Sequence, residues 1–367
     1  MKRFLRITIC LLLCAISLTA TAKRQKPLVW DMERLEQMRK TYRDNAEAQR
    51  IIVNAEKYCA MAPISVTENK RLSLGPNKHY FCSMGPYRWP DPKNPGKYII
   101  KDGEMNPDWK YYDSGKLNEM ITRCYYLSQA FYMTRNRKYY NAYLQQLRVW
   151  FLDESTYMEP NFEYSQADPT QDVFKSNSTG MIEAYVLINL TESIYLVNST
   201  KRIDRKTMKA MKNWMRQFAE WSDERYTAYF EKVDNNISLA FDVTLADLYL
   251  FAGETDKAKR IVDDFAEKRL SRQIKEDGSQ PSELTRTRAY YYSLYNLSHV
   301  LDFCSLVQYW YPAYFEEYGK RIEKAYEFLG QYLDRPEKFP YKQITSWEEC
   351  RNDYTNQMKV MERLKSN

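Results

Sequence analysis

Residues 245–265 read LADLYLFAGETDKAKRIVDDF. Apolar side chains recur every three to four positions up to Ala252. Gly253-Glu254-Thr255 breaks the run, and helical spacing resumes to Phe265. That is a helix, a turn and a second helix. Residues 127–151, LSQAFYMTRNRKYYNAYLQQLRVWF, repeat the plan around a polar break at Thr134-Arg135-Asn136. Helical hairpins that follow one another build bundles, solenoids or α/α toroids, and periodicity alone does not choose among them.

The same spacing extends to both sides. Leu117, Met120, Ile121, Cys124, Leu127 and Phe131 form one stripe, and Met208, Met211, Trp214, Met215, Phe218 and Trp221 form another. Glycine is scarce, 10 in 367 residues, and strand alternation is rare, so an all-α fold is expected. Two segments break the pattern. Residues 75–107 hold six of the fourteen prolines and many aromatics, and read as an extended, ordered loop. Residues 160–180 are polar. No Gly/Ser linker accompanies either. The expectation is one domain over residues 23–367, with long loops over one face, where binding usually sits.

Residues 1–22 stand apart. Lys2, Arg3 and Arg6 precede an apolar run from Ile7 to Leu18, and Ala20-Thr21-Ala22 supplies small residues for cleavage before Lys23. A charged start, a short apolar middle and an A-x-A end make a secretory signal, which puts the mature protein in a periplasm. The run is short for a bilayer span, which takes about 20 residues. No later segment is expected to reach membrane length, so no stable membrane insertion is expected after cleavage.

The formal charge is +7, and the three basic leader residues leave +4 for the mature chain. That suits an anionic ligand, and no Lys/Arg block points to nucleic acid. Cys59, Cys82, Cys124, Cys304 and Cys350 are odd in number and fit no zinc or redox spacing; mostly buried free thiols are expected, with one disulfide left open in an oxidising compartment. The 32 tyrosines offer faces and hydroxyls for sugar rings, although core packing accounts for most of them. Two histidines, His79 and His299, lie far apart, and no H-E-x-x-H, P-loop, G-x-S-x-G or dinucleotide fingerprint occurs. A histidine hydrolase or a zinc enzyme is therefore disfavoured. A carboxylate-pair glycoside hydrolase stays open, since acids are plentiful.

Three segments carry candidate chemistry. One is Gly85-Pro86-Tyr87-Arg88-Trp89-Pro90-Asp91-Pro92. The second is Asp234-Asn235-Asn236-Ile237-Ser238. The third runs Asp277-Gly278-Ser279-Gln280-Pro281, Glu283-Leu284-Thr285-Arg286-Thr287-Arg288, then Tyr290 to Leu297. Together these resemble the alginate-lyase domain family: its PYxWPDP loop at residues 86–92, and its DGSQPxELxRTR and YSLxNL at residues 277–297. Trp150 to Asp153 (WFLD) and Pro340 to Ile344 (PYKQI) add to the resemblance, in the family's order along most of the chain.

The resemblance implies an α/α toroid, an incomplete barrel of helical hairpins, and β-elimination on an acidic uronate polymer such as mannuronan or a glucuronan, with no metal or other cofactor. It gives the catalytic roles to Tyr295, Arg288 and Asn236. Asn235, Arg286, Tyr87 and Trp89 become candidate substrate contacts. Arg288 and Tyr295 are seven apart, about two helical turns. The family pattern reads Asn-Asn-His where this chain has Asn235-Asn236-Ile237, so the motif histidine is replaced by Ile237. Two readings follow: a lyase restricted to sugars whose H5 and leaving oxygen lie on one side of the ring, or a catalytically impaired homologue that binds acidic oligosaccharides.

Overall fold

The computed structural model describes residues 25–168 and 177–366; residues 1–22, expected to form a leader, lie outside them. Among these residues helix accounts for 64% and strand for 4%. Among the described residues, the α-helices of eight or more residues are α1 (Met32–Thr41), α2 (Ala46–Cys59), α3 (Asp113–Thr134), α4 (Arg137–Leu147), α5 (Leu187–Thr200), α6 (Arg205–Phe230), α7 (Asn236–Ala252), α8 (Thr255–Phe265), α9 (Ala289–Val307), α10 (Tyr314–Gly330) and α11 (Trp347–Ser366).

Their composition sorts them into two layers. Helices α5, α7 and α9 are apolar around most of their circumference, and such helices must be enclosed on all sides. With α3 they line the inside, each packed on the next, and α11 closes against α9. Helices α2, α4, α6, α8 and α10 carry one apolar face each and pack outside them. The result is an α/α toroid. Its open seam is bridged by the N-terminal segment. Arg363 on α11 donates to the Val29 carbonyl at 3.0 Å, and Glu192 on α5 accepts the backbone N–H groups of Leu28, Val29 and Trp30.

Both hairpins read from the sequence are present. Helix α3 ends at Arg135, which is left-handed (φ 59°), and Asn136 caps α4. Helix α7 ends at Gly253 (φ 96°), where the Gly253 and Glu254 N–H groups return to Tyr249 O. Glycine takes that conformation without strain; at the other hairpin an arginine adopts it.

The non-helical segments form a cap. In the 75–107 segment, β1 (Cys82–Met84) pairs in parallel with β4 (Tyr164–Ala167), and β2 (Arg88–Pro90) pairs antiparallel with β3 (Tyr98–Ile100). Pairing β1 with β4 ties the two long loops together over one face of the ring.

Most tyrosines serve packing; Tyr143, Tyr249, Tyr290 and Tyr326 are among the largest fully buried side chains. Among the described residues, the five cysteines are free thiols, four of them buried. One expectation needs correcting. Ser178–Thr200 is long and apolar enough to cross a membrane, but 72% of its most apolar stretch is buried inside the protein. It is apolar because its C-terminal part, α5, is an inner helix of the toroid, enclosed by other helices.

Candidate active site

A cleft of about 460 Å3 opens where the cap meets the N-terminal ends of α7 and α9. Gly85 to Arg88 form part of its rim, with Ile100 and Met105 beside them. Gln166, Asn177 and Thr179 come from the second loop. The floor is Asn236 and Ile237 from the first turn of α7, with Arg286, Tyr291, Tyr292 and Tyr295 from the start of α9 and the residues before it.

Local sequence fixes these positions. Asn235 caps α7: its side-chain oxygen accepts from Ile237 N at 3.0 Å and Ser238 N at 3.2 Å, and Ser238 answers in a capping box. Its side-chain oxygen is committed to the helix, and Asn235 does not line the cleft. Asn236, 2% exposed, takes the first helical position and faces the cleft. Its backbone N–H and its Nδ2 both donate to Glu283, each at 2.7 Å. Glu283 is 1% exposed. Burial lifts its carboxyl to about 7, against the pull of those two bonds and of Arg286.

The start of α9 is held by the PYKQI segment. Ala289 N bonds Lys342 O, and the Gln343 side chain accepts from Tyr290 N at 3.1 Å and Tyr291 N at 3.3 Å. Two orphan N–H groups of the helix start are thereby satisfied. Asp102 reaches in from the cap. It accepts from Arg286 Nη2 at 2.6 Å, from Thr287 N at 3.1 Å and from the Thr287 hydroxyl. Burial works against the Asp102 carboxylate, yet these bonds hold it below the usual range. Gly103 beside it has φ +77°, and a Cβ there would lie 2.5 Å from Thr287 Oγ1, so the close approach of this loop requires glycine.

The two arginines of the motif part company. Arg286 lines the cleft with its guanidinium 3.8 Å from the centre of the Tyr292 ring, and the Tyr292 hydroxyl bonds that of Tyr87. Arg288 lies behind the floor, 3.8 Å over the Tyr291 ring, with Nε donating to Thr345 Oγ1 at 3.0 Å. Trp89 lies off the cleft as well, its Nε1 donating to Glu104 O and its ring beside Lys101. The structure thus brings together Asn236, Arg286, Tyr87 and Tyr295, and sets Asn235, Arg288 and Trp89 outside the lining. Arg88 also borders the cleft, paired with Asp168 at 3.0 Å.

Tyr295 lines the cleft, stacked on Tyr291 at 5.9 Å, and its hydroxyl bonds no described residue. Burial, with Tyr291 and Tyr87 nearby, pushes its phenol well above the usual range. Burial raises Tyr291 too, and Arg288 only pulls against that rise; Arg288 exerts no such pull on Tyr295. Neither histidine substitutes at Ile237. His299 is wholly buried between the rings of Tyr295 and Tyr185, with both nitrogens unbonded, and burial depresses it to about 3. His79 lies tilted against the Tyr157 ring, 4.7 Å between centres, and its Nδ1 bonds Tyr157 O. Among the described residues, no group of three or more His, Cys, Asp or Glu is placed to hold a metal ion.

Glu283, Asp102, Tyr291 and Tyr292 were not singled out from the sequence, although Glu283, Tyr291 and Tyr292 lie inside the quoted motif. Their signal was position in the motif; Asp102, in the cap, carried none.

The sequence matches the alginate lyase family over residues 65–339. The crystal structure of an alginate lyase from Bacteroides ovatus superposes with a TM-score of 0.86 at 31% identity, over 93% of this chain and 92% of that one. A variant of alginate lyase A1-III complexed with a tetrasaccharide has a TM-score of 0.55 at 15% identity, over 88% of this chain and 82% of the other; it shares the fold. A search of curated proteins finds no match.

Proposed function

The chain belongs to the alginate lyase family, and from that premise we propose that it cleaves a mannuronan or glucuronan-like polymer by β-elimination. The observation that carries this reading is Tyr295, a phenol with no bond to any described residue, set in one cleft with Asn236 and Arg286. The Asn236 amide and the Arg286 guanidinium hydrogen-bond the sugar carboxylate as negative charge builds on it. Tyr295 as phenolate takes H5; the C5–H electron pair becomes the C4=C5 double bond and the C4–O bond breaks. The Tyr295 hydroxyl then returns the proton to the leaving oxygen. One residue can do both only when H5 and the leaving oxygen lie on the same side of the ring, as in β-mannuronate and β-glucuronate. At Ile237 the cleft wall has no proton to move, which disfavours guluronate.

Residues 1–22 support export to a periplasm, where such polymers are met; protein recovered from that compartment would begin at or near Lys23. The function is tested by following the ultraviolet absorbance of unsaturated uronate ends over a panel of mannuronan, guluronan and glucuronan. Growth of that signal on the first or third supports the reading. Binding of these polymers with no signal on any identifies the alternative, an impaired homologue that holds acidic oligosaccharides.

A further inference from the structure

Asn236 does not meet the cleft alone. One hydrogen of its Nδ2 is committed to Glu283 Oε2, and its backbone N–H holds Glu283 Oε1. The second Nδ2 hydrogen is the one left for a sugar carboxylate. Two carboxylates on one NH2 group stand about 5 Å apart, given ordinary bond lengths of about 2.8 Å. Glu283 is 1% exposed, so bulk solvent screens the pair only weakly.

The surroundings offer Glu283 little positive charge. On its own segment Arg286 is the nearest cation, and Arg286 is turned to Asp102, whose negative charge faces Glu283 from the cap. Helix α7 contributes its first turn of N–H groups through Asn236. Helix α9 contributes Tyr292, whose ring lies under Arg286. Like charges sharing a dry site cannot both stay ionised, and the one in the more apolar place gives way. Burial already places Glu283 near neutrality, so the cost of its protonation is small.

We propose that Glu283 is a positioning residue of this cleft, one that binds a proton when a uronate carboxylate docks on Asn236. The inference rests on the uronate reading above. Ionised, Glu283 orients the Asn236 amide in the empty cleft. Neutral, it still accepts the backbone N–H but no longer repels the substrate or the enolate that forms from it. Only Arg286 and the amide then face the developing charge.

The experiment is titration calorimetry of the full chain, in the Tyr295→Phe background to prevent cleavage, with mannuronate and glucuronate tetrasaccharides. Each is run at about pH 8 and about pH 5.5 in buffers of differing ionisation enthalpy, which counts protons taken up. The expected result is about one proton per oligosaccharide at the higher pH and none at the lower. Adding Glu283→Gln, which fixes the neutral form, should abolish the uptake and make affinity independent of pH over this range, an outcome that a purely structural Glu283 would not give. Should that variant fail to fold, affinity without it decides: it should weaken about tenfold per pH unit above about pH 8. Binding without proton uptake at the higher pH, a flat affinity profile, or uptake that persists in Glu283→Gln overturns the inference. No binding of either tetrasaccharide defeats the uronate reading, and this inference with it.

Discussion

The Arg288 guanidinium lies 3.8 Å over the ring of Tyr291 and reaches the cleft only through it, because Tyr291 stands between it and Tyr295. Arg286, two residues earlier, is the arginine that lines the cleft. Arg286→Ala should therefore lower kcat/KM on a uronate polymer by about 10²-fold, the loss expected for one donor to developing charge. Arg288→Ala should lower it less than about tenfold and cost about 1 kcal/mol of stability through the lost ring contact. Steady-state kinetics and denaturant unfolding on the two variants check this; a larger kinetic loss for Arg288→Ala would place the essential charge behind the floor.

Tyr295→Phe keeps the ring and removes only the hydroxyl. Elimination should fall by about 10³-fold or more, with oligosaccharide affinity nearly unchanged. Because burial raises the phenol, the phenolate is scarce at neutral pH and its fraction grows tenfold per pH unit. Initial kcat should rise with that slope from about pH 7 to about pH 9, without a plateau. A bell centred near neutrality would point to another base.

Ile237→His places an imidazole at the cleft wall, where the sequence resemblance implies one. It should add measurable elimination on guluronan while changing the mannuronan rate by less than about tenfold, since Tyr295 already serves that geometry. Product absorbance on purified block polymers is the readout. An unchanged preference would mean that Ile237 does not set stereochemical range.

Asn235 is spent on the capping box of α7. Asn235→Ala should cost about 1 kcal/mol of stability, seen as a lower melting temperature. Its effect on KM should be small, whereas Asn236→Ala should raise KM. If Asn235→Ala raises KM as strongly as Asn236→Ala, the asparagine that binds sugar has been misplaced.

Stability should fall as pH rises from about 5 to about 8. Burial raises Glu183 to about 8, Glu192 and Glu283 to about 7 and Asp302 to about 6, so in that window the folded chain binds more protons than the unfolded one. His299, depressed to about 3, acts oppositely: it must be neutral to stay buried, so its contribution is lost as pH falls below its unfolded value. Four acids outweigh one histidine, which places the optimum near pH 5. Urea midpoints across pH test the sign; a midpoint that climbs from pH 5 to 8 contradicts it.

Much of the fold was legible because helical spacing is local. The stripes around residues 117–131 and 208–221 became α3 and α6, and the breaks at Arg135 and Gly253 became left-handed caps. The seam was not legible. Nothing in Leu28-Val29-Trp30 announces that three successive N–H groups end on Glu192, 162 to 164 residues away. Nor does Gln343 look like the cap of a helix that starts more than fifty residues earlier.

By itself the sequence determined that helical hairpins follow one another and which motifs lie near the chemistry, since both depend on residue order along a few turns. Tertiary structure decided which members of those motifs face the cleft. Asn235 and Asn236 are neighbours, yet one is drawn into the helix cap and the other into the cleft, because the first turn of α7 needs a side-chain acceptor at its cap. Arg286 and Arg288 are two apart at the head of a helix, so they leave it in different directions; Asp102 claims one for the cleft and the Tyr291 ring holds the other behind it. Those choices depend on what the cap and the distant PYKQI segment bring alongside, and spacing carries no information about them.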